Sequence, residues 1–233
     1  MYFRQLLAGR DFAVGDPVAT QMVNFSYALG DRTTGEAVLV DPAYAVDDLL
    51  ATVAADGLRL VGVLATHHHA DHVGGSLMGH AIEGLAALLE RGSVPVHANR
   101  HEVGSIRRST GLSSTDVVPH DGGDVVRVGH LEVRLLHTPG HTPGSQCFLV
   151  EGMLVSGDTL FLEGCGRTDL PGSDSAAMYE SLRRLAGLPD DTAVFPGHRY
   201  SAASAAALEI VRETNYVLKP PTREAWLAAF AGR

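Results

Sequence analysis

The chain has 233 residues, a formal net charge of −9 and only two cysteines. That length suits one substantial α/β or sandwich unit, the negative balance offers no basic field for nucleic acid or anionic membrane, and two cysteines cannot build a disulfide framework. No apolar run approaches the ~20 residues that span a bilayer, and the N-terminal residues lack the long apolar region of a signal peptide; we expect a soluble, cytoplasmic protein.

In chain order, residues 23–29 and 37–40 are apolar runs around the turn residues 30–35, which predicts a hairpin. Residues 46–55 have helical spacing stopped by Asp56-Gly57, and 58–64 form an apolar strand. Next comes Thr66-His67-His68-His69-Ala70-Asp71-His72-Val73-Gly74-Gly75. Five ionisable side chains in six residues cannot serve a core. Imidazole and carboxylate are transition-metal ligands, so His67, His69, Asp71 and His72 are candidates for holding an ion.

Residues 76–91 are predicted as a helix, with Leu77, Ile82, Leu85, Leu88 and Leu89 near one face, weakened by Gly79 and Gly84. A short strand at 94–97 follows, then a helix and a long loop over 99–124 as a wall for the site. Strands at 125–128, 131–137, 145–150 and 153–156, broken by Gly129-His130 and Glu151-Gly152, imply a second sheet. A helix over 173–187 with Asp174 or Ser175 as its cap, a strand at 193–195, and helices over 202–215 and 222–231 complete the chain.

Three strand-end loops carry further candidates. His141 stands between two Pro-Gly pairs, Asp158 follows Ser156-Gly157, and His198 follows Pro196-Gly197. Two apolar sheets with interspersed helices fit a four-layer αββα sandwich whose loops meet at one edge. His137 is read as core or sheet edge, and His68, His80, His97, His101, His120 and His130 as surface or structural residues.

The pattern resembles the metallo-β-lactamase superfamily, whose His-x-His-x-Asp-His signature is met by His67, His69, Asp71 and His72, with His141, Asp158 and His198 as its later ligands. The resemblance runs from about 23 to 200 and implies the αββα sandwich. It implies a catalytic domain over 1–200 with a short helical appendage at 201–233. It also implies two divalent ions, zinc foremost with iron or manganese as alternatives. One would be held by His67, His69 and His141, the other by Asp71, His72 and His198, with Asp158 shared and Asp71 also orienting the nucleophile.

Within the superfamily the chain is similar to glyoxalase II, a glutathione thioester hydrolase. There a Gly-Cys-Gly-basic loop and a tyrosine two residues past the last histidine bind the thiol cofactor; Arg167 and Tyr200 match those positions. Cys165 is read as a packing residue. Glyoxalase II has an aromatic residue near the position of Asp169 and a longer C-terminal region, both lacking here. Gly166-Arg167-Thr168-Asp169 also resembles the persulfide dioxygenases, which use one iron on residues matching His67, His141 and Asp158. The expected function is metal-dependent hydrolysis of a small-molecule thioester. A persulfide dioxygenase, or a lactone or other ester hydrolase, is the alternative. Exported β-lactamases, flavodiiron proteins and RNA-processing members fit less well.

Overall fold

In the computed structural model, which describes residues 1–232, the apolar run before the histidines forms β4 (Arg59–Leu64). It pairs in parallel with β3 (Glu36–Val40) on one side and β7 (Val96–Asn99) on the other. The half of such a strand that leads to the loop must be apolar, and Val63 and Leu64 are fully enclosed, whereas Arg59 at its start is exposed. The rest of the six-stranded sheet is β1 (Tyr2–Leu7) and β2 (Phe25–Asp31), antiparallel beyond β3, and β8 (Val117–His120), parallel beyond β7. The predicted hairpin is β2–β3; Asp31 closes its turn by accepting the Thr33 N–H at 2.8 Å, with Gly35 at φ 71°.

Helix α1 (Pro17–Met22) starts at Asp16, whose Oδ1 caps Val18 and Ala19. Helix α2 (Val46–Ala55) buries Val46, Leu49 and Val53. Each such side chain contributes ~1.5–3 kcal/mol.

The single helix predicted over 76–91 is not formed. The histidine loop closes with one helical turn, α3 (Ala70–Val73), and the chain then makes a hairpin of β5 (Gly75–Leu77) and β6 (His80–Ile82) before α4 (Leu85–Arg91). Met78 and Gly79 both have positive φ, 50° and 85°, which turns the chain back where a helix would need it to continue. Gly84 then lies so close to Gly74 that a Cβ at either position would strike the other's backbone. The wall segment contains α5 (Val103–Thr110), as expected, and β8, which the sequence reading missed.

The chain divides into two compact units, the first comprising Met1–His120 with Val125–Val133, the second 121–124 and the residues from 134 onward. A second six-stranded sheet runs in the order β14 (Ala206–Ala207), β13 (Ala193–Pro196), β12 (Met153–Gly157), β11 (Gln146–Val150), β10 (Leu131–His137), β9 (Val125–Val128). In the second unit, α6 (Ser175–Leu185) is capped by Asp174 Oδ1, at 2.8 and 3.0 Å from the N–H groups of Ala176 and Ala177. The helix predicted over 202–215 is shorter, with only α7 (Leu208–Thr214) following β14. Helix α8 (Arg223–Phe230) buries Trp226 against Met178 and Leu182 of α6, and the indole N–H donates to the Val217 carbonyl at 2.9 Å.

Candidate metal centre

The donors of the first unit leave the C-terminal end of β4, beside the end of its parallel neighbour β3. That adjacency brings Asp41 to Thr66. Asp41 Oδ1 accepts the Thr66 backbone N–H at 2.8 Å, and its Oδ2 accepts the Thr66 hydroxyl at 2.6 Å. With its hydrogen spent on the carboxylate, Thr66 Oγ1 acts as acceptor for His67 Nδ1, 3.0 Å away. The Nδ1 of His72 also donates to Asp41 Oδ2, at 2.9 Å. One buried carboxylate therefore fixes the tautomer of two histidines, leaving the Nε2 lone pair of each for a cation. Asp41, His67 and His72 have donor atoms within 4.8 Å of one another. Since the Asp41 oxygens already accept three hydrogen bonds, Asp41 serves as an orienting group and the imidazole Nε2 atoms are the candidate ligands.

His67 Nε2 lies 3.0 Å from His69 Nδ1, and His72 Nε2 lies 3.5 Å from Asp71 Oδ2. Donors at 2.0–2.1 Å from one tetrahedral ion sit about 3.3 Å apart, so both pairs have the spacing of shared coordination. His68 faces elsewhere, toward the buried Glu102 at 2.5 Å. Asn24, also buried, donates to Asp71 Oδ2 at 3.1 Å and accepts the Tyr44 hydroxyl at 3.0 Å. The backbone around these groups is strained: Val23, Asp41 and Tyr44 have φ of 50°, 49° and 71°. Left-handed conformations cost non-glycine residues ~1–3 kcal/mol each and gather at functional sites.

The second unit presents its donors by the same device. Strands β12 and β13 run parallel, so Asp158 and His198 emerge side by side, and the Gly197 N–H donates to the Gly157 carbonyl at 2.8 Å. Asp158 Oδ2 lies 3.3 Å from His198 Nε2 and 3.6 Å from His141 Nε2. The Nδ1 of His141 donates to the Arg167 carbonyl at 2.9 Å, which again directs Nε2 toward the carboxylate. Glycine is required around this cradle, because a Cβ at Gly197 would overlap Asp158 Oδ1 and one at Gly166 would overlap the Asp158 carbonyl. The loop before Gly166 is pinned by the buried Asn215, whose side chain accepts the Gly164 N–H at 2.8 Å and donates to the Phe161 and Gly164 carbonyls, both at 2.9 Å. Asp158 thus stands near coordination spacing from each of two imidazole nitrogens, and imidazole with carboxylate is a donor chemistry that suits a divalent ion.

Tyr200 is half exposed and stacks flat on His198, with centroids 4.8 Å apart and planes at 6°, while Phe161 meets both rings edge-on. The exposed Arg167 guanidinium is already paired, Nε to Asp169 Oδ1 at 2.8 Å and Nη2 to Oδ2 at 2.7 Å. Arg167 is thus a carboxylate clamp whose present carboxylate is Asp169, and the pairing holds the Asp169 carboxyl below its usual range. Burial pushes the Cys165 thiol up to about 12 and the Cys147 thiol to about 11, so neither is a thiolate at neutral pH. Sequence reading missed Asn24, Asp41, Tyr44 and Thr66. Asp41 stood in the sequence only as a strand-ending Asp-Pro.

The family model described as the metallo-beta-lactamase superfamily matches residues 19–198. The chain belongs to this superfamily. Among metallo-beta-lactamase superfamily proteins it is 36% identical over 210 residues to the hydroxyacylglutathione hydrolase of Xanthomonas axonopodis pv. citri, spanning 90% of this chain and 74% of that one. The structure of ETHE1 from Myxococcus xanthus is 33% identical, covering 98% of this chain and 89% of that one with a TM-score of 0.78. TTHA1623, solved in a di-iron-bound form, is 32% identical, covering 84% of this chain and 95% of that one with a TM-score of 0.66. The expected fold class is borne out, as are the likenesses to glyoxalase II-like hydrolases and to persulfide dioxygenases. The chain is an enzyme of the metallo-beta-lactamase hydrolase family, and its His/Asp clusters suit divalent metal ions. Among the described residues no helix is long and apolar enough to cross a membrane.

Proposed function

We propose that this enzyme is a cytoplasmic thioester hydrolase whose seven donors form a dinuclear centre. His67, His69 and His141 hold one ion, Asp71, His72 and His198 the other, and Asp158 is shared. The observation that carries the reading is the orientation of both His67 and His72 by Asp41, which aims one imidazole at each proposed ion position. The family match over 19–198 supports it because that span contains all seven donors. When bound, divalent ions supply Lewis acidity and lower the pKa of coordinated water from 15.7 to about 7. We assign zinc foremost, with iron or manganese as alternatives.

The residues of the chain do the rest. Asp41, Thr66 and the Arg167 carbonyl hold the histidine tautomers, and Asp71 both ligates and orients the nucleophile. Tyr200 offers a half-exposed ring to the thiol portion of a substrate. Arg167 takes a remote substrate carboxylate in exchange for Asp169. Relatives named hydroxyacylglutathione hydrolase support a thioester, and the missing aromatic residue near Asp169 leaves the thiol carrier open to compounds other than glutathione.

The second reading is an iron persulfide dioxygenase. It is favoured by the Gly166-Arg167-Thr168-Asp169 loop and by the likeness to ETHE1 over 98% of the chain. One experiment separates them. Apo-protein reloaded with zinc and assayed without oxygen cleaves a thioester and releases thiol if it is the hydrolase. Oxygen uptake with a thiol persulfide, dependent on iron and absent with zinc, overturns that reading, because zinc cannot change oxidation state.

A further inference from the structure

We propose that Asn24, held by Tyr44, is the positioning residue that aims Asp71 and thereby sets the affinity of the second ion position. The inference rests on the two-ion reading above. Asn24 and Tyr44 are buried, at 2% and 3% exposure, so their polar atoms are committed to neighbours within the protein. The Tyr44 hydroxyl donates to Asn24 Oδ1 at 3.0 Å. A phenol hydrogen on the oxygen leaves the amide only one useful orientation, with its NH2 donating to Asp71 Oδ2, 3.1 Å away, and its nitrogen 3.4 Å from His72 Nε2, so the amide sits beside both donors of this position. Asp71 and His72 are the two donors that the first unit contributes to the second position.

An ionised carboxylate accepts along several lone-pair directions and turns about its last bond, so by itself Asp71 is a loosely aimed ligand. A donor fixed on Oδ2 removes that freedom. An amide does so without positive charge, whereas a lysine or arginine there would repel the cation. The backbone points the same way: Asn24 follows Val23 at φ 50°, and Tyr44 has φ 71°. A β-branched residue and an aromatic one are thus both held in left-handed conformations beside this contact, and they persist only where the surroundings enforce them.

The test is titration of apo-protein with cobalt(II), following the d–d absorption of each equivalent and the metal content, for wild type, Asn24→Ala and Tyr44→Phe. Wild type takes up two ions. Asn24→Ala keeps the first and weakens the second by about 10–100-fold, with a changed spectrum for the second equivalent only. Tyr44→Phe shifts the second in the same direction by a smaller factor, and it decides the matter if Asn24→Ala does not fold. Equal weakening of both ions, or an unchanged second affinity, overturns the role of Asn24 and leaves the two-ion reading standing. A wild-type protein that binds a single ion overturns both.

Discussion

The His72 imidazole donates through Nδ1 to Asp41 Oδ2 at 2.9 Å, across 31 residues of sequence, at an aspartate held at φ 49°. The same carboxylate takes the Thr66 hydroxyl and backbone N–H, so removing it disturbs two ligands and the loop between them. Asp41→Ala is expected to weaken metal binding by about 10–100-fold. It also strands the donors it served, at ~1–3 kcal/mol of stability. Metal titration and denaturant unfolding check the two parts separately, and an unchanged metal affinity would remove Asp41 from the account.

His67→Ala and His141→Ala are each expected to lower metal content and abolish activity. His68→Ala is expected to change neither by much, since that ring turns to Glu102. Its cost should appear as ~1.5–3 kcal/mol of stability, the worth of a hydrogen bond to a charged group. Elemental analysis of the three variants decides; an equal metal loss from His68→Ala sinks the ligand assignment.

Asp158→Ala should remove both ions or leave one weakly bound, because a shared carboxylate offsets the mutual repulsion of two cations. A variant that keeps two tightly bound ions shows that Asp158 is not the bridge.

The Arg167–Asp169 pair predicts opposite effects on substrate affinity. Arg167→Ala is expected to raise KM more than it lowers kcat, since a contact to a remote carboxylate is made equally in ground and transition states. Asp169→Ala releases the guanidinium and should lower KM for a carboxylate-bearing thioester, with little change for one lacking the carboxylate. If both substrates respond alike, Arg167 is not a carboxylate site.

His97 gives a pH prediction. Burial, with His120 Nε2 at 2.9 Å from its Nδ1, pushes the His97 pKa down to about 4. A depressed pKa means that the unfolded chain binds the extra proton first. The stability contributed is complete above about pH 6.5 and is lost as pH falls toward 4. Replacing His97 with asparagine should flatten unfolding free energy between those values, and an unaltered acid limb would contradict this.

The proposed metal donors stand out in the sequence because their chemistry is dense and local: four lie within six residues, and the other three lie in loops that follow apolar strands. The two sheets were legible for a similar reason, since buried parallel and antiparallel strands leave short apolar runs between turn residues. The β5–β6 hairpin was not, because apolar residues at 77, 82, 85 and 88 satisfy a helical spacing as well as they satisfy a hairpin followed by a short helix. The positive φ of Met78 and Gly79 separates the two. Tertiary structure alone decided what orients the donors. Asn24 reaches Asp71 across 47 residues and Asp41 reaches His72 across 31, and no local pattern announces such a pair. Parallel pairing of β3 with β4, and of β12 with β13, sets strand ends side by side, and it is there that an ordinary Asp-Pro becomes the acceptor for His72 and, through the Thr66 hydroxyl, the anchor of His67. The fate of Arg167 was likewise a tertiary matter: its sequence neighbourhood promises a carboxylate clamp, and the folded loop shows Asp169 already in it.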